Sequence, residues 1–310
     1  ATLWRVDRSD RIVTKLDRLD PGADATVAAP TGDARNFLRR FASASVLAPT
    51  AIAVAYIGGW LFLGLCALAA AVILWEWTSL VFRGTDPRIF IPGLTALLVA
   101  TALTGEGQAW AAIAMIAISA LLAGGVVAAW PRRYPGSNPV LWGAGGVVYA
   151  GIALVAPVLL RADPQLGLVA LLFLFAVVWA TDIFAYLVGR VMGGPLLWPG
   201  VSPKKTWAGA IGGLAGGVAA GAGVAYASAG MALGVASGLA LILSVVAQGG
   251  DLFESAVKRR FGAKDASSLI PGHGGVMDRL DGFIFAALVA VLIGSLHQGM
   301  ATPARGLLIW

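Results

Sequence analysis

The chain has 310 residues, of which 58% are hydrophobic and 12% charged, with a mean hydropathy of +0.82 and a formal net charge of +6. Soluble domains carry about 25% charged residues, so this composition excludes a water-soluble fold. A membrane-spanning helix needs about 20 mostly apolar residues, and the chain holds many such stretches. The composition therefore indicates a polytopic integral membrane protein.

Residues 1–40 are polar and charged, with Arg39 and Arg40 directly before the first apolar run. This pattern predicts a cytosolic basic and polar tail that ends in a membrane anchor. Apolar runs follow at 42–58, 59–82, 89–105, 107–130, 139–160, 165–189, 207–228, 229–250 and 282–298. We therefore predict an all-α transmembrane protein with about nine spans, in which residues 41–310 form the transmembrane domain.

The distribution of Lys and Arg predicts the orientation. With the N-terminus in the cytoplasm, all 22 Lys and Arg residues except Arg161 and Arg305 lie in the tail or in loops on the cytoplasmic side. Positive charge concentrates in cytoplasmic loops, so the sequence predicts a cytoplasmic N-terminus. The candidate chemistry then lies in two cytoplasmic loops, 190–206 and 251–281.

The seventh span carries four glycines at intervals of four residues, namely Gly209, Gly213, Gly217 and Gly221. Such a smooth helix face permits close approach of another helix. Helix packing is the favoured interpretation. A groove that admits a lipid chain is the alternative.

Two acidic residues lie within or beside apolar runs. Asp182 precedes Arg190 by about two helical turns, roughly 10 Å inside the cytoplasmic interface. A carboxylate in hydrocarbon is costly, so Asp182 is a functional candidate, with a structural ion pair as the alternative. Glu76 stands between Trp75 and Trp77, and the interfacial aromatic belt explains it adequately.

The loop 190–206 contains the segment Ser202-Pro203-Lys204-Lys205-Thr206. Hydroxyl groups that flank paired ammonium groups suit an oligophosphate, and Thr206 is placed to cap the next helix. Lysines that only anchor a helix at the membrane surface are the equal alternative.

The loop 251–281 has acidic residues at both of its membrane-proximal ends. Four polar residues share one face of a helix that continues the eighth span: Asp251, Glu254, Ser255 and Lys258. Asp278 and Asp281 share a face at the start of the ninth span. Carboxylates without a Cys or His cluster favour a hard cation such as Mg²⁺. Mg²⁺ among Lys and Arg residues is typical of phosphoryl or nucleotidyl transfer, whereas surface salt bridges are the alternative.

Three segments share their pattern with a known family. The longest reads Ser255-Ala256-Val257-Lys258-Arg259, then Lys264-Asp265 and Ser267, then Pro271-Gly272-His273-Gly274-Gly275-Val276-Met277-Asp278-Arg279-Leu280-Asp281. The others are Asp182 with Ala185-Tyr186 and Gly189-Arg190, and Ser202-Pro203-Lys204-Lys205-Thr206-Trp207. Together they resemble the phosphatidate cytidylyltransferase (CDP-diacylglycerol synthase) family. The chain departs from the family pattern at Ala208, where Glu is usual, and at Gly249, where an apolar residue is common.

The resemblance implies that phosphatidate and CTP react to give CDP-diacylglycerol and pyrophosphate, with Mg²⁺ in a two-cation site. The implied catalytic residues are Asp251, Asp278, Lys258, Arg279 and His273. The implied substrate-binding residues are Ser202, Lys204, Lys205, Thr206, Arg259 and Lys264. The implied metal ligands are Asp251, Asp278, Asp281 and Asp182.

The expected partners are CTP and phosphatidate in the bilayer, with a homodimer as the candidate assembly and no nucleic acid. The expected location is the bacterial inner membrane, with the catalytic loops on the cytoplasmic side. Three other functions compete with this one. They are an ion-coupled transporter that uses Asp182, a CTP-dependent polyprenol kinase that would release CDP, and a non-catalytic lipid-binding scaffold.

Overall fold

The computed structural model describes residues 45–130, 138–270 and 274–310. The predicted tail 1–40, the pair Arg132 and Arg133, and His273 lie outside these ranges. The described helices are α1 Ser45–Ile57, α2 Gly59–Phe82, α3 Pro87–Gly105, α4 Ala109–Ala129, α5 Pro139–Arg161, α6 Gly167–Met192, α7 Trp207–Ala229, α8 Leu233–Arg260, α9 Met277–Gln298 and α10 Pro303–Leu308. The strands β1 Leu196–Trp198 and β2 Ser202–Thr206 form an antiparallel hairpin between α6 and α7.

Eight of the described helices, α2 to α9, are long and apolar enough to cross a membrane. Helix α1 corresponds to the predicted span 42–58, but its described residues 45–57 reach only about 20 Å at 1.5 Å per residue, short of a bilayer core of about 30 Å. The prediction of an all-α polytopic membrane protein is confirmed. The described part contains eight full-length spans rather than nine.

Helix α5 lies at the centre of the bundle. In its most apolar stretch 67% of the residues are buried, against 33–44% in the other long helices. Its side chain Tyr149 joins an aromatic group with Trp77, Phe253 and Phe285, whose ring centroids lie 5.2–6.4 Å apart. This group links α2, α5, α8 and α9 beneath the end of the bundle at which α9 begins.

The predicted glycine face of α7 packs against α6, as expected. A Cβ atom at Gly209 would lie 2.7 Å from the carbonyl oxygen of Ala185, and one at Gly213 would lie 2.8 Å from that of Thr181. All four glycines of the face are buried. The two backbones can approach this closely because no side chain separates them, and this contact fixes the C-terminal half of α6, where Asp182 lies.

The opposite end of the bundle is held by the two arginines that the charge distribution set apart. Arg161 Nε donates a hydrogen bond to the carbonyl oxygen of Ala55 at 2.7 Å, which attaches α5 to the end of α1. Arg305 Nε lies 2.6 Å from Asp163 Oδ2 and attaches α10 to the α5–α6 turn. Both contacts are far from the candidate site residues.

Candidate active site

The described candidate residues lie at one end of the bundle. The chain reaches this end at the C-terminal turns of α6 and α8 and leaves it at the first turns of α7 and α9. The segment 251–281 is helical to Arg260, as its spacing predicted, and helical again from Met277. Asp251, Glu254, Asp278 and Asp281 therefore lie on helices, whereas Asp265 lies between them. The loop 190–206 likewise contains the hairpin β1–β2, which the sequence did not indicate.

Three carboxylates from three helices form what we call the carboxylate cluster: Asp182 of α6, Asp251 of α8 and Asp281 of α9. Asp281 and Asp182 both interact electrostatically with Asp251. Lys205 Nζ, from β2, makes an ion pair with Asp251 Oδ2. The side chains of Lys205 and Asp251 are 27% and 32% exposed, so the cluster stays open to a ligand.

A second charged group lies closer to the helix ends and is better shielded. In this buried triad, Lys258 Nζ lies 2.6 Å from Glu254 Oε2 and 2.5 Å from Asp278 Oδ1. The Asp278 Oδ2 atom accepts hydrogen bonds from the backbone N–H groups of Ala266 at 2.9 Å and Gly275 at 2.7 Å. Both oxygens of Asp278 are therefore used within the protein, where they tie the 261–276 loop to α9.

The hairpin places its two lysines differently. Successive side chains along a strand point to opposite faces, so Lys204 and Lys205 diverge. Lys205 faces the carboxylate cluster, while Lys204 is exposed. The Thr206 hydroxyl accepts a hydrogen bond from the Gly209 N–H at 3.1 Å, which confirms the predicted helix cap.

The remaining predicted cations, which we call the cationic rim, are exposed at the same end of the bundle. Arg259, Lys264 and Arg279 are exposed, and Arg279 interacts electrostatically with Asp182. Arg190, near the end of α6, donates a hydrogen bond from Nη1 to the Tyr186 hydroxyl at 2.6 Å. A rim of positive charge attracts anionic ligands from water and from a lipid surface.

Comparison with known proteins identifies the family. Residues 38–297 match the model of the cytidylyltransferase family. The chain belongs to this family. It is 40% identical to a phosphatidate cytidylyltransferase of Brucella suis biovar 1 over 269 residues, which is 87% of this chain and 97% of that protein. It is 43% identical to a phosphatidate cytidylyltransferase of Staphylococcus aureus (strain COL) over 140 residues, 45% of this chain and 53% of that protein.

The donor atoms of this cytidylyltransferase suit a hard cation at the carboxylate cluster. Carboxylate oxygens are the ligands that Mg²⁺ prefers, and the carboxylates of Asp182, Asp251 and Asp281 are close enough to interact electrostatically. Within the described ranges, however, no three acidic, His or Cys side chains are already gathered as a compact metal site. Asp278 fits less well, because Lys258 and two backbone N–H groups already occupy its oxygens.

Sequence reasoning missed two buried residues of the cytidylyltransferase site. The Tyr149 hydroxyl interacts electrostatically with Asp281, Glu254 and Asp278, and it has no hydrogen-bond partner among the described residues. Glu76 is fully buried and accepts three hydrogen bonds from the 267–277 segment, so the aromatic-belt interpretation missed its main contacts. The sequence marked Glu76 only as an acidic residue between two tryptophans and gave no signal for Tyr149, because the partners of both residues are distant in sequence.

Proposed function

We propose that this protein is a phosphatidate cytidylyltransferase, which transfers the cytidylyl group of CTP to phosphatidate. The observation that carries the proposal is the Lys205–Asp251 ion pair within the carboxylate cluster. It joins the Ser202–Thr206 motif to α8 four residues before the motif that begins at Ser255, and the remaining motif contributes Asp182. The relatives that match nearly the whole chain carry this activity in their names.

The reaction requires two anions to meet. A phosphomonoester carries about −1.5 to −2 charges at pH 7, and a nucleoside triphosphate is more negative. A phosphatidate oxygen attacks the α-phosphorus of CTP and forms a new P–O bond. The bond from the α-phosphorus to the bridging oxygen breaks, and pyrophosphate leaves with that electron pair. Since the phosphatidate oxygen is already anionic, the step requires no general base.

The cations divide between the two substrates in this proposal. Lys204, Lys205 and Ser202 hold the CTP phosphates from the hairpin. The rim formed by Arg259, Lys264 and Arg279 holds the phosphatidate headgroup or the leaving pyrophosphate. Fixed positive charges reduce the repulsion and stabilise the charge that develops on the bridging oxygen. His273, which the family resemblance implies as a catalytic residue, would donate a hydrogen bond to a phosphate oxygen.

We further propose that Mg²⁺ is the cofactor, in a two-cation site. Asp251 and Asp281 would hold the metal with Asp182. Asp278 would contribute only if its oxygens bound the metal and Lys258 at the same time. When bound, the metal withdraws charge from the phosphate oxygens and makes the phosphorus a better electrophile. The carboxylates themselves orient the cations of the hairpin, as Asp251 does for Lys205.

We also propose that the site faces the cytoplasm of a bacterial cell, from its inner membrane. Among the described Lys and Arg residues, only Arg161 and Arg305 lie at the other end of the bundle, and positive charge favours the cytoplasmic side. A homodimer is the proposed assembly, which the molar mass of the detergent-solubilised protein would test.

The test is turnover by the purified protein in detergent with phosphatidate, Mg²⁺ and CTP labelled at the α-phosphate. Label in a CDP-lipid supports the proposal, whereas label in CDP would indicate a kinase. Absence of a CDP-lipid, under conditions in which the Brucella suis relative produces one, refutes it. Asp278→Asn should abolish turnover without unfolding the protein, and near-normal turnover would remove Asp278 from the site.

A further inference from the structure

One buried carboxylate from a distant helix holds the start of α9. Glu76, near the C-terminal end of α2, is 0% exposed. Its Oε1 atom accepts hydrogen bonds from the Ser267 hydroxyl at 2.6 Å and the Val276 N–H at 2.9 Å. Its Oε2 atom accepts one from the Met277 N–H at 2.7 Å. A single side chain therefore fixes both the 261–276 loop and the first backbone groups of α9.

These contacts replace a local helix cap. The first N–H groups of a helix have no partner within it, and a Ser, Thr, Asp or Asn residue at the N-cap normally supplies an acceptor. The N-cap of α9 is Val276, which has no such side chain and makes no side-chain cap bond. Glu76 supplies the acceptors instead, and its negative charge faces the positive end of the helix dipole.

The loop is shaped to admit this carboxylate. A Cβ atom at Gly275 would collide with Glu76 Oε1, so only glycine permits the backbone to lie this close. Gly275 also donates its N–H to Asp278 Oδ2 at 2.7 Å. The contact of Glu76 is thus coupled through one residue to the buried triad.

We propose that Glu76 is a positioning residue for cytidylyl transfer. It sets the first turn of α9, so that Asp278 meets Lys258 and Asp281 faces Asp251. This role rests on the proposed function. Because Asp278 lies in that turn and Asp281 begins the next one, a shift of the start of α9 would move both aspartates, and a misplacement of about 1 Å can cost about 100-fold in rate.

Glu76→Gln tests the role with almost no change in shape. The glutamine side chain has one acceptor atom instead of two. Its NH₂ group must therefore face either the Ser267 hydroxyl and the Val276 N–H or the Met277 N–H. We expect kcat to fall about tenfold or more, equivalent to about 1.4 kcal/mol of transition-state stabilisation. The KM for CTP should stay within about twofold, since the hairpin lysines that hold the CTP phosphates belong to another element. Hydrogen exchange at the amides of 276–277 should accelerate.

The exposed Glu106, in the turn after α3, provides the matched control. Glu106→Gln should leave kcat, KM and the exchange of 276–277 unchanged. If Glu76→Gln does not fold, Glu76→Asp keeps the charge and should give a kcat between those of the wild type and Glu76→Ala.

A double-mutant cycle tests the contact itself. Gly275→Ala alone should lower kcat, because the added methyl group displaces the carboxylate. In a Glu76→Ala background the same change should cost little, since the methyl group enters vacated space, and the two losses should not add. Additive losses, or normal kcat with unchanged exchange in Glu76→Gln, would overturn the proposal. If the wild type forms no CDP-lipid, the proposed function fails, while the exchange rates still decide whether Glu76 holds α9.

Discussion

Lys258→Met removes the only cation of the buried triad and keeps the length of the side chain. In the wild type, Lys258 Nζ lies 2.6 Å from Glu254 Oε2 and 2.5 Å from Asp278 Oδ1, and the three side chains are 12%, 1% and 7% exposed in that order. The variant leaves two shielded carboxylates without this counter-ion. Removing one partner of a buried ion pair costs about 3–5 kcal/mol.

The expected result is a large loss of thermal stability. At about 2–4 °C per kcal/mol, the Tm of the detergent-solubilised protein should fall by roughly 6–20 °C, measured by intrinsic fluorescence. Lys264→Met is the matched control, because Lys264 is exposed, and its Tm should change by less than about 2 °C.

A second variant separates charge from packing. Glu254→Gln/Lys258→Met restores the net charge of the wild-type triad, so its Tm should exceed that of Lys258→Met although it carries one more substitution. A wild-type Tm for Lys258→Met, or no recovery in the double variant, would refute the view that the triad is a shielded ionic group.

Three further predictions concern separate parts of the bundle. Tyr149→Phe should keep or raise the Tm, because the buried hydroxyl has no partner among the described residues and an unpaired buried hydroxyl costs about 1–3 kcal/mol; a lower Tm would contradict this. Burial raises the pKa of Asp163, but hydrogen bonds from the backbone at the start of α6 and from Arg305 outweigh this and leave the pKa below its ordinary value. Asp163→Asn should therefore lower the Tm at neutral pH. The difference in Tm between the variant and the wild type should become smaller as the pH falls below about 4. Gly217→Ala should lower the Tm by overpacking against α6, at about 1–3 kcal/mol, whereas Gly223→Ala on the open side of α7 should not.

Most of the fold follows from the apolar runs, because a bilayer allows few structures other than helices. The observed helices differ from the predicted spans where charged residues extend a helix beyond its apolar stretch. Helix α9 begins at Met277, five residues before the predicted span, because the Glu76 carboxylate of α2 accepts from its first N–H group and stabilises the turns that carry Asp278 and Asp281. Hydropathy alone assigns Asp278 and Asp281 to the loop, because both residues are charged.

The sequence predicted site contacts between residues that are close in sequence, but not contacts between distant segments. The helical spacing of Asp251, Glu254 and Lys258 was readable from the sequence, and the structure places the last two in one ionic group. Glu76 shares its contacts with residues that no sequence window includes. The hairpin was missed because its strands have only three and five residues and include Pro203, which disfavours a strand.

The antiparallel run of α8 and α9 explains why the charged groups form two levels. Asp251 precedes the end of α8 by nine residues, about 14 Å, and Asp281 lies one turn further into α9 than Asp278. The carboxylate cluster is therefore the deeper level, yet it is the more open one, because Asp251 is 32% exposed and Asp278 only 7%. In the proposed function a lipid phosphate would meet the cluster at this depth, whereas Lys258 and the backbone N–H groups of Ala266 and Gly275 already bind Asp278. This difference favours substrate chemistry at the cluster and a supporting role for the triad, whose oxygens are already committed to the protein.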